Sequence, residues 1–379
     1  MTSSRGFYED LGVRPVVNAA TMFTALGGSL MPEEVLDAMR AAAGSFVDMH
    51  ELHLAAGRRL AELTGNEAAL VTSGCAAALA LGVLAARTDG DPARITDFPG
   101  HDEAPYEVIM HAAHRIPYDR ALALAGARVR QIGDVIQTFD WELKAAIGPQ
   151  TAAVVYVAGA HLPPGALPLE QVVTIAHERG VPVIVDAAAQ LPPVDNLWSF
   201  TRDAGADLAV FSGGKTLLGP QSSGLMVGSA GLVEAARQNS APYQRWARAM
   251  KVGKEEIAGL VAAVERYVAL DHAAEHQGWM SVLEAWRDGL DGLAGAQATI
   301  EPLGEAGQPI PRLHIELPSP VRAERVLELI EASDPRVAVL ADRAHGAARG
   351  LWLSPDLLQP GEAEIVRETI ARALTEVPT

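Results

Sequence analysis

The sequence predicts an α/β protein, a large domain built on a mostly parallel sheet followed by a smaller α+β domain. Between residues 68 and 227, apolar runs of strand length alternate with segments of helix length. That is the pattern of a parallel sheet with helices on both faces. Beyond Val227 the order changes, and a long helical stretch leads into short, scattered strand candidates. A chain of 379 residues, 49% of them hydrophobic, can bury a sizeable core in one large domain plus a smaller one. The expected division is 1–45 as an N-terminal arm and helix, 46–250 as the large domain, and 251–379 as a connecting helix and the small C-terminal domain.

In chain order, Val16 to Thr21 reads as a short strand or extended arm, with a turn at Gly27-Gly28-Ser29. Pro32 suits the first turn of a helix running to about residue 43. Asp48 and Glu51 have capping-box spacing for the next helix, and Gly65 supplies its stop. Residues 68–72 form a strand that leads through Ser73-Gly74 into an alanine-rich helix, 75–86. The Gly-, Pro- and Asp-rich segment 87–106 reads as a long loop. Strands follow at 107–111, 128–132, 152–157 and 181–185, with helices at 118–125, 140–147 and 169–179 between them. Residues 207–211 and 224–227 are the last strand candidates of the large domain. A helix covers 231–238, and a helical region over 254–291 is expected to break near Gln277-Gly278. Strands at 298–300, 314–317, 337–340 and 351–353 and helices at 322–331 and 362–374 complete the small domain.

Composition narrows the function. There are 47 acidic residues against 30 basic, a formal charge of -17, which disfavours a nucleic-acid partner. No apolar run reaches membrane-spanning length, and the N-terminus lacks the signal-peptide pattern, so no membrane partner is expected and a cytoplasmic location is. The single cysteine, Cys75, excludes an intramolecular disulfide and a cysteine-rich metal site.

The chemistry concentrates at strand ends, where open α/β sheets bind ligands. Thr72-Ser73-Gly74-Cys75 opens a helix, whose backbone N–H groups attract an anion. His111, His114 and Arg115 follow the strand at 107–111. An imidazole there can lie against a flat ring, and without a third ligand beside them no metal is expected. Asp186 ends a hydrophobic strand, a poor place for solvation and a good one for facing a cation. Phe211-Ser212-Gly213-Gly214-Lys215 joins a strand to a glycine-rich turn. A partly desolvated lysine in such a turn offers a neutral amine to a carbonyl.

The order is more specific than any single motif: anion turn, histidine, strand-end aspartate, then lysine 29 positions later. It resembles pyridoxal 5'-phosphate (PLP) enzymes of fold type I, the aspartate aminotransferase-like class. Residues 211–224, reading Phe-Ser-Gly-Gly-Lys-Thr-Leu-Leu-Gly-Pro-Gln-Ser-Ser-Gly, are similar to the lysine loop of the selenocysteine synthase-like group within it. The stretches from Val17, Phe46, Glu62 and Met250 resemble the ammonia-lyase side of that group, typified by D-glucosaminate-6-phosphate ammonia-lyase.

The resemblance implies a seven-stranded type of sheet and PLP as cofactor. Lys215 forms the Schiff base, and Asp186 pairs with the pyridine nitrogen. The backbone amides of Ser73, Gly74 and Cys75, with the Ser212 hydroxyl, hold the phosphate. His114 stacks on the ring, and Gln190 reaches its edge or serves only the loop. Thr21 and Thr24 lie in a segment that closes over substrate, and Arg115 or Arg349 binds the substrate carboxylate. Lys251 and Lys254 resemble a patch near the cofactor.

The implied reaction is α,β-elimination on a hydroxylated amino acid, giving a 2-oxo acid and ammonia, with Lys215 or a histidine as general acid. Aminotransfer, racemisation and retro-aldol cleavage are the alternatives. A selenium transfer to aminoacyl-tRNA is opposed by the acidity. A homodimer or higher homo-oligomer is implied. The segment His111-Ala112-Ala113-His114-Arg115-Ile116-Pro117-Tyr118-Asp119 departs from the group's Gln-Arg-Gly-His-Arg-Asn-x-Tyr-Asp, losing an arginine and an asparagine. That points away from glucosaminate 6-phosphate and toward a smaller or differently charged substrate.

Overall fold

The computed structural model describes residues 4–98 and 106–377. The strands, in chain order, are β1 (Val16–Asn18), β2 (Ala68–Thr72), β3 (Glu107–His111), β4 (Arg128–Ile132), β5 (Thr151–Val157), β6 (Val183–Asp186), β7 (Leu208–Ser212), β8 (Gly224–Gly228), β9 (Gln297–Glu301), β10 (Arg312–Glu316), β11 (Arg336–Ala338), β12 (Leu340–Ala344) and β13 (Ala347–Leu353). They fall into two compact units, one comprising residues 29–270 with 306–308, the other 1–28, 271–305 and 309–379. The division differs from a boundary at 45/46. The helix Glu33–Ala43 packs on the helix Lys254–Ala269 inside the larger unit.

The larger unit is built on a seven-stranded sheet of order β2-β8-β7-β6-β5-β3-β4. The pairs among β3, β4, β5, β6 and β7 are parallel, and β8 runs antiparallel between β2 and β7. Strand alternation sends Val71, Val154, Val183, Val185 and Phe211 to one face, packed with Leu60, Val172 and Leu260. It sends Leu70, Val108, Val155, Ile184 and Val210 to the other, against the helices Cys75–Thr88 and Ala230–Asn239. Because both faces are covered, the central strands read as continuous apolar runs rather than alternating ones. The edge strand β4 instead exposes Arg128 and Arg130, and edge charges discourage pairing with another chain.

The smaller unit has an antiparallel four-stranded sheet of order β12-β13-β10-β9 and a parallel β1-β11 pair. Leu313, Ile315, Leu351 and Leu353 line its core with Leu283, Trp286, Val326 and Ile370 from three helices.

Local chemistry explains most boundaries. The Asp48 carboxylate accepts the N–H groups of His50 and Glu51, and Gly65 closes that helix in the left-handed region at φ 61°. Two expectations fail. The helical region beyond residue 254 breaks at Leu270-Asp271, where the Asp271 carboxylate caps Ala274 N–H, while Gly278 sits inside the continuous helix His272–Leu290. A new cap ends a helix more decisively than one exposed glycine interrupts it. Within 87–106, Asp91 caps a short helix, Pro92–Asp97, with Pro92 in its first turn. Residues 99–105 of that segment lie outside the described residues. No helix among the described residues is long and apolar enough to cross a membrane.

Candidate active site

The C-terminal ends of the parallel strands in the larger unit bring the expected groups together. Asp186 is the last residue of β6 and is buried, 7% exposed. Its Oδ1 accepts the Ala188 N–H at 3.1 Å. Burial pushes its pKa up, while the Ala188 N–H and the charge of Lys215 pull it back. The Cys75 thiol is also pushed up by burial and by the Asp186 charge, with Lys215 acting against both. These three residues, far apart in sequence, share one electrostatic neighbourhood.

Lys215 is half-buried in the turn after β7, and its carbonyl accepts Leu218 N–H at 2.8 Å. Its ammonium has no hydrogen-bond or ion-pair partner among the described residues. The turn is tight by necessity. A Cβ on Gly213 would lie 2.0 Å from Ser223 Oγ, and one on Gly214 would lie 2.5 Å from Gln221 Cα. The glycines permit the fold of the turn that displays the lysine.

The anion turn forms between β2 and the helix Cys75–Thr88. Gly74 sits at φ 90° and provides no side-chain cap, leaving the first N–H groups of the helix open to an anion. Ser73 Oγ donates to the Met250 carbonyl at 2.9 Å, fixing the turn against a segment 177 residues away. Ser212 faces this turn across the sheet: it pairs with Gly224, which pairs with Thr72. A side chain at Gly224 would strike the Gly74 backbone at 2.6 Å.

His114 is buried against β5, the strand paired with the one that ends in Asp186. Its Nδ1 accepts the Val157 N–H at 3.3 Å, and Val157 is the register partner of Asp186. Its ring meets Tyr156 edge-on at 4.4 Å and His111 at 5.0 Å. Burial drives its pKa down to about 3 and that of His111 to about 4. Burial thus favours the neutral imidazole at both positions, a weaker proton donor than an imidazolium. Among the described residues there is no metal-ligating cluster.

Other expected residues are engaged elsewhere. Gln190 Nε2 donates to the Ala306 carbonyl at 2.9 Å, a loop tie. Arg115 pairs with Asp119 and reaches Gln131 at 3.4 Å. Lys254 donates to the Ala42 carbonyl at 2.8 Å and pairs with Glu255, while Lys251 is exposed. Thr21, Thr24 and Arg349 belong to the smaller unit. The Thr21 carbonyl accepts from Asn18 Nδ2, Thr24 opens a short 3-10 turn, and Arg349 pairs with Asp342 at 3.2 Å. Sequence reasoning missed Gly224, Tyr156 and the Met250 carbonyl. Tyr156, a polar-tipped ring in the valine-rich β5, carried a visible signal, whereas a backbone carbonyl carries none.

These residues fit PLP. A buried carboxylate without a bonded cation suits a ring N–H, an uncapped helix start suits a phosphate, and an unpaired amine suits an aldehyde.

The architecture is that of fold type I, the aspartate aminotransferase-like class. The solved structure of a D-glucosaminate-6-phosphate ammonia-lyase superposes with a TM-score of 0.84 at 30% identity, covering 100% of both chains. A structure of SPT with a PLP internal aldimine shares the fold at TM-score 0.61 and 16% identity, over 96% of this chain and 88% of that one. The chain belongs to the SelA family, L-seryl-tRNA selenium transferase, which matches residues 16–297. It is 36% identical to a 5'-C-glycyluridine monooxygenase-decarboxylase of a Streptomyces species, over 95% of this chain and 90% of that one. It is 34% identical to the D-glucosaminate-6-phosphate ammonia lyase of Salmonella typhimurium strain 14028s, over 82% of each.

Proposed function

We propose that the protein is a PLP-dependent lyase that removes ammonia from a hydroxylated amino acid. The carrying observation is the convergence of Asp186, Lys215 and the uncapped turn at Gly74 at one end of the sheet. When bound, PLP supplies an electron sink for the substrate's α-carbon.

The protein's residues do the rest. Lys215 would hold the cofactor through its amine, and as a free amine it would accept the α-proton and donate a proton to the departing hydroxyl, which leaves as water; uptake of a water then gives the 2-oxo acid and ammonia. Asp186 keeps the ring nitrogen protonated. The amides of Ser73, Gly74 and Cys75 and the Ser212 hydroxyl hold the phosphate. His114, neutral and braced by Tyr156, covers the ring. Gln190 supports this wall through its tie to Ala306. Thr21, Thr24, Arg115 and Arg349 are the substrate-side residues to test. The protein works in the cytoplasm as a homodimer or higher homo-oligomer on a small amino acid, a state that light scattering in solution would check.

A second reading is favoured by one observation. The monooxygenase-decarboxylase relative matches more of this chain, at higher identity, than the lyase relative does. The altered His111-to-Asp119 segment is also consistent with a different substrate from the lyase's.

The test uses purified holoenzyme with a panel of D- and L-hydroxyamino acids, following ammonia, 2-oxo acid, oxygen consumption and carbon dioxide. Ammonia with 2-oxo acid and no oxygen uptake supports the lyase. Oxygen uptake with carbon dioxide supports the second reading. Transfer of the amino group to a 2-oxo acid without ammonia overturns both. The wild type should be yellow and Lys215→Ala should lose that absorbance, and an unchanged spectrum in the variant would remove Lys215 from its role.

A further inference from the structure

Within the larger unit, a cleft of about 550 Å³ lies between the start of the helix Leu169–His177 and the segment that leads into β7. That is the size of a small-ligand site. It is set apart from the cofactor's groups by the sheet. Tyr156 pairs with Val185 and Val157 with Asp186, so alternation sends Tyr156, which lines the cleft, to the face opposite Asp186.

One side of the cleft has an uncommon backbone. Residues Ser199–Asp203 form a π-helical turn, in which the Ala204 N–H reaches back five residues to the Ser199 carbonyl at 2.8 Å. Such turns are rare and recur at functional sites. This one brings Ser199, Phe200, Asp203 and Ala204 to the same cleft. The Phe200 ring is backed by Phe211, with centroids 6.4 Å apart, and Tyr156 supplies a second ring.

The charge here has one sign. Glu170 and Asp203 line the cleft, and no lysine, arginine or histidine does. Asp203 is already paired with Arg202 at 2.8 Å, and that guanidinium lies against the Trp198 ring. Glu170 is exposed and has no ion-pair partner among the described residues. Burial and then the Glu170 charge raise the Tyr156 phenol, so carboxylate and ring act on the same space. Aromatic faces attract a cation electrostatically, and an unpaired carboxylate supplies its counter-charge.

We infer that this cleft binds a small organic ammonium ion, held by the Glu170 carboxylate against the rings of Tyr156 and Phe200. The inference goes beyond the proposed function and does not rest on it.

The test is calorimetric titration of the holoenzyme with choline, with putrescine, and with dimethylbutanol, the uncharged carbon isostere of choline. At least one of the two cations should give a saturable heat. The alcohol should bind at least about tenfold more weakly than choline if choline is the cation bound. Glu170→Gln and Phe200→Leu should each weaken the cation about three- to thirtyfold. Glu170→Gln changes an exposed side chain and should keep the wild-type Tm, so it decides alone if Phe200→Leu unfolds. Saturable heat from neither cation, an alcohol as tight as choline, or an affinity unchanged in Glu170→Gln overturns the inference.

Discussion

Asp186 and His114 are both buried, each linked to Val157 of β5, and burial acts on them in opposite chemical directions. It raises the carboxyl of Asp186, where a cationic ring N–H would supply the missing counter-charge. It lowers the imidazole of His114 to about 3. With Nδ1 accepting from Val157, the single proton of that neutral ring sits on Nε2. Nitrogen-detected NMR of the holoenzyme should therefore show His114 neutral and in one tautomer from pH 5 to 9. A titration assigned to His114 within that range would contradict the geometry. The residue types were readable from the sequence because Asp186, His114 and Lys215 are rare choices at apolar strand ends. The neutral state of the histidine was not readable, because it follows from the walls supplied by Tyr156 and His111.

Single elements show how tightly the lysine turn is built. Gly213→Ala must displace Ser223, so a loss of about 1–3 kcal/mol is expected, with weaker cofactor retention. Gly278 is the contrast. It is exposed inside a helix, and a Cβ added there would meet nothing within 4 Å, so Gly278→Ala should stabilise by about 0.5–1 kcal/mol. Thermal unfolding of the two variants checks both signs. Caps and glycine stops made most elements legible: Asp48, Gly65 and Pro32 each act within a few residues of their own position. The break falls at Asp271 and not at Gly278, because a capping carboxylate starts a helix more strongly than one exposed glycine interrupts it. The split of the segment after residue 336 into β11 and β12 was also hidden, because β11 pairs with distant β1 and β12 with β13.

At the scale of the molecule, three buried histidines make acid the weak side. His53 and His111 are held near 4 and His114 near 3, each by burial first. Below about pH 6.5 the unfolded chain binds protons there that the folded chain refuses, so stability falls as pH falls, by roughly 1.4 kcal/mol per site and pH unit. Asp356, raised to about 6 by burial, and Asp186, raised for the same reason, oppose this: their contributions are complete below 3.8, and that of Asp356 is lost as pH rises through 6. The three histidines outnumber the two carboxyls, so Tm should drop between pH 6.5 and 4.5, and a flat or rising Tm over that window would refute the balance. By itself the sequence determined the α/β class, most of the strand and helix order, and the aspartate and lysine that meet at the candidate site, because apolar periodicity, caps and rare polar residues act locally. Only the tertiary structure decided what those residues can do. Pairing β7 with β6 and β8 brings Ser212 opposite Gly224 and Asp186 beside the lysine turn. Burial then leaves His114 neutral, a consequence of packing between segments that the sequence keeps far apart.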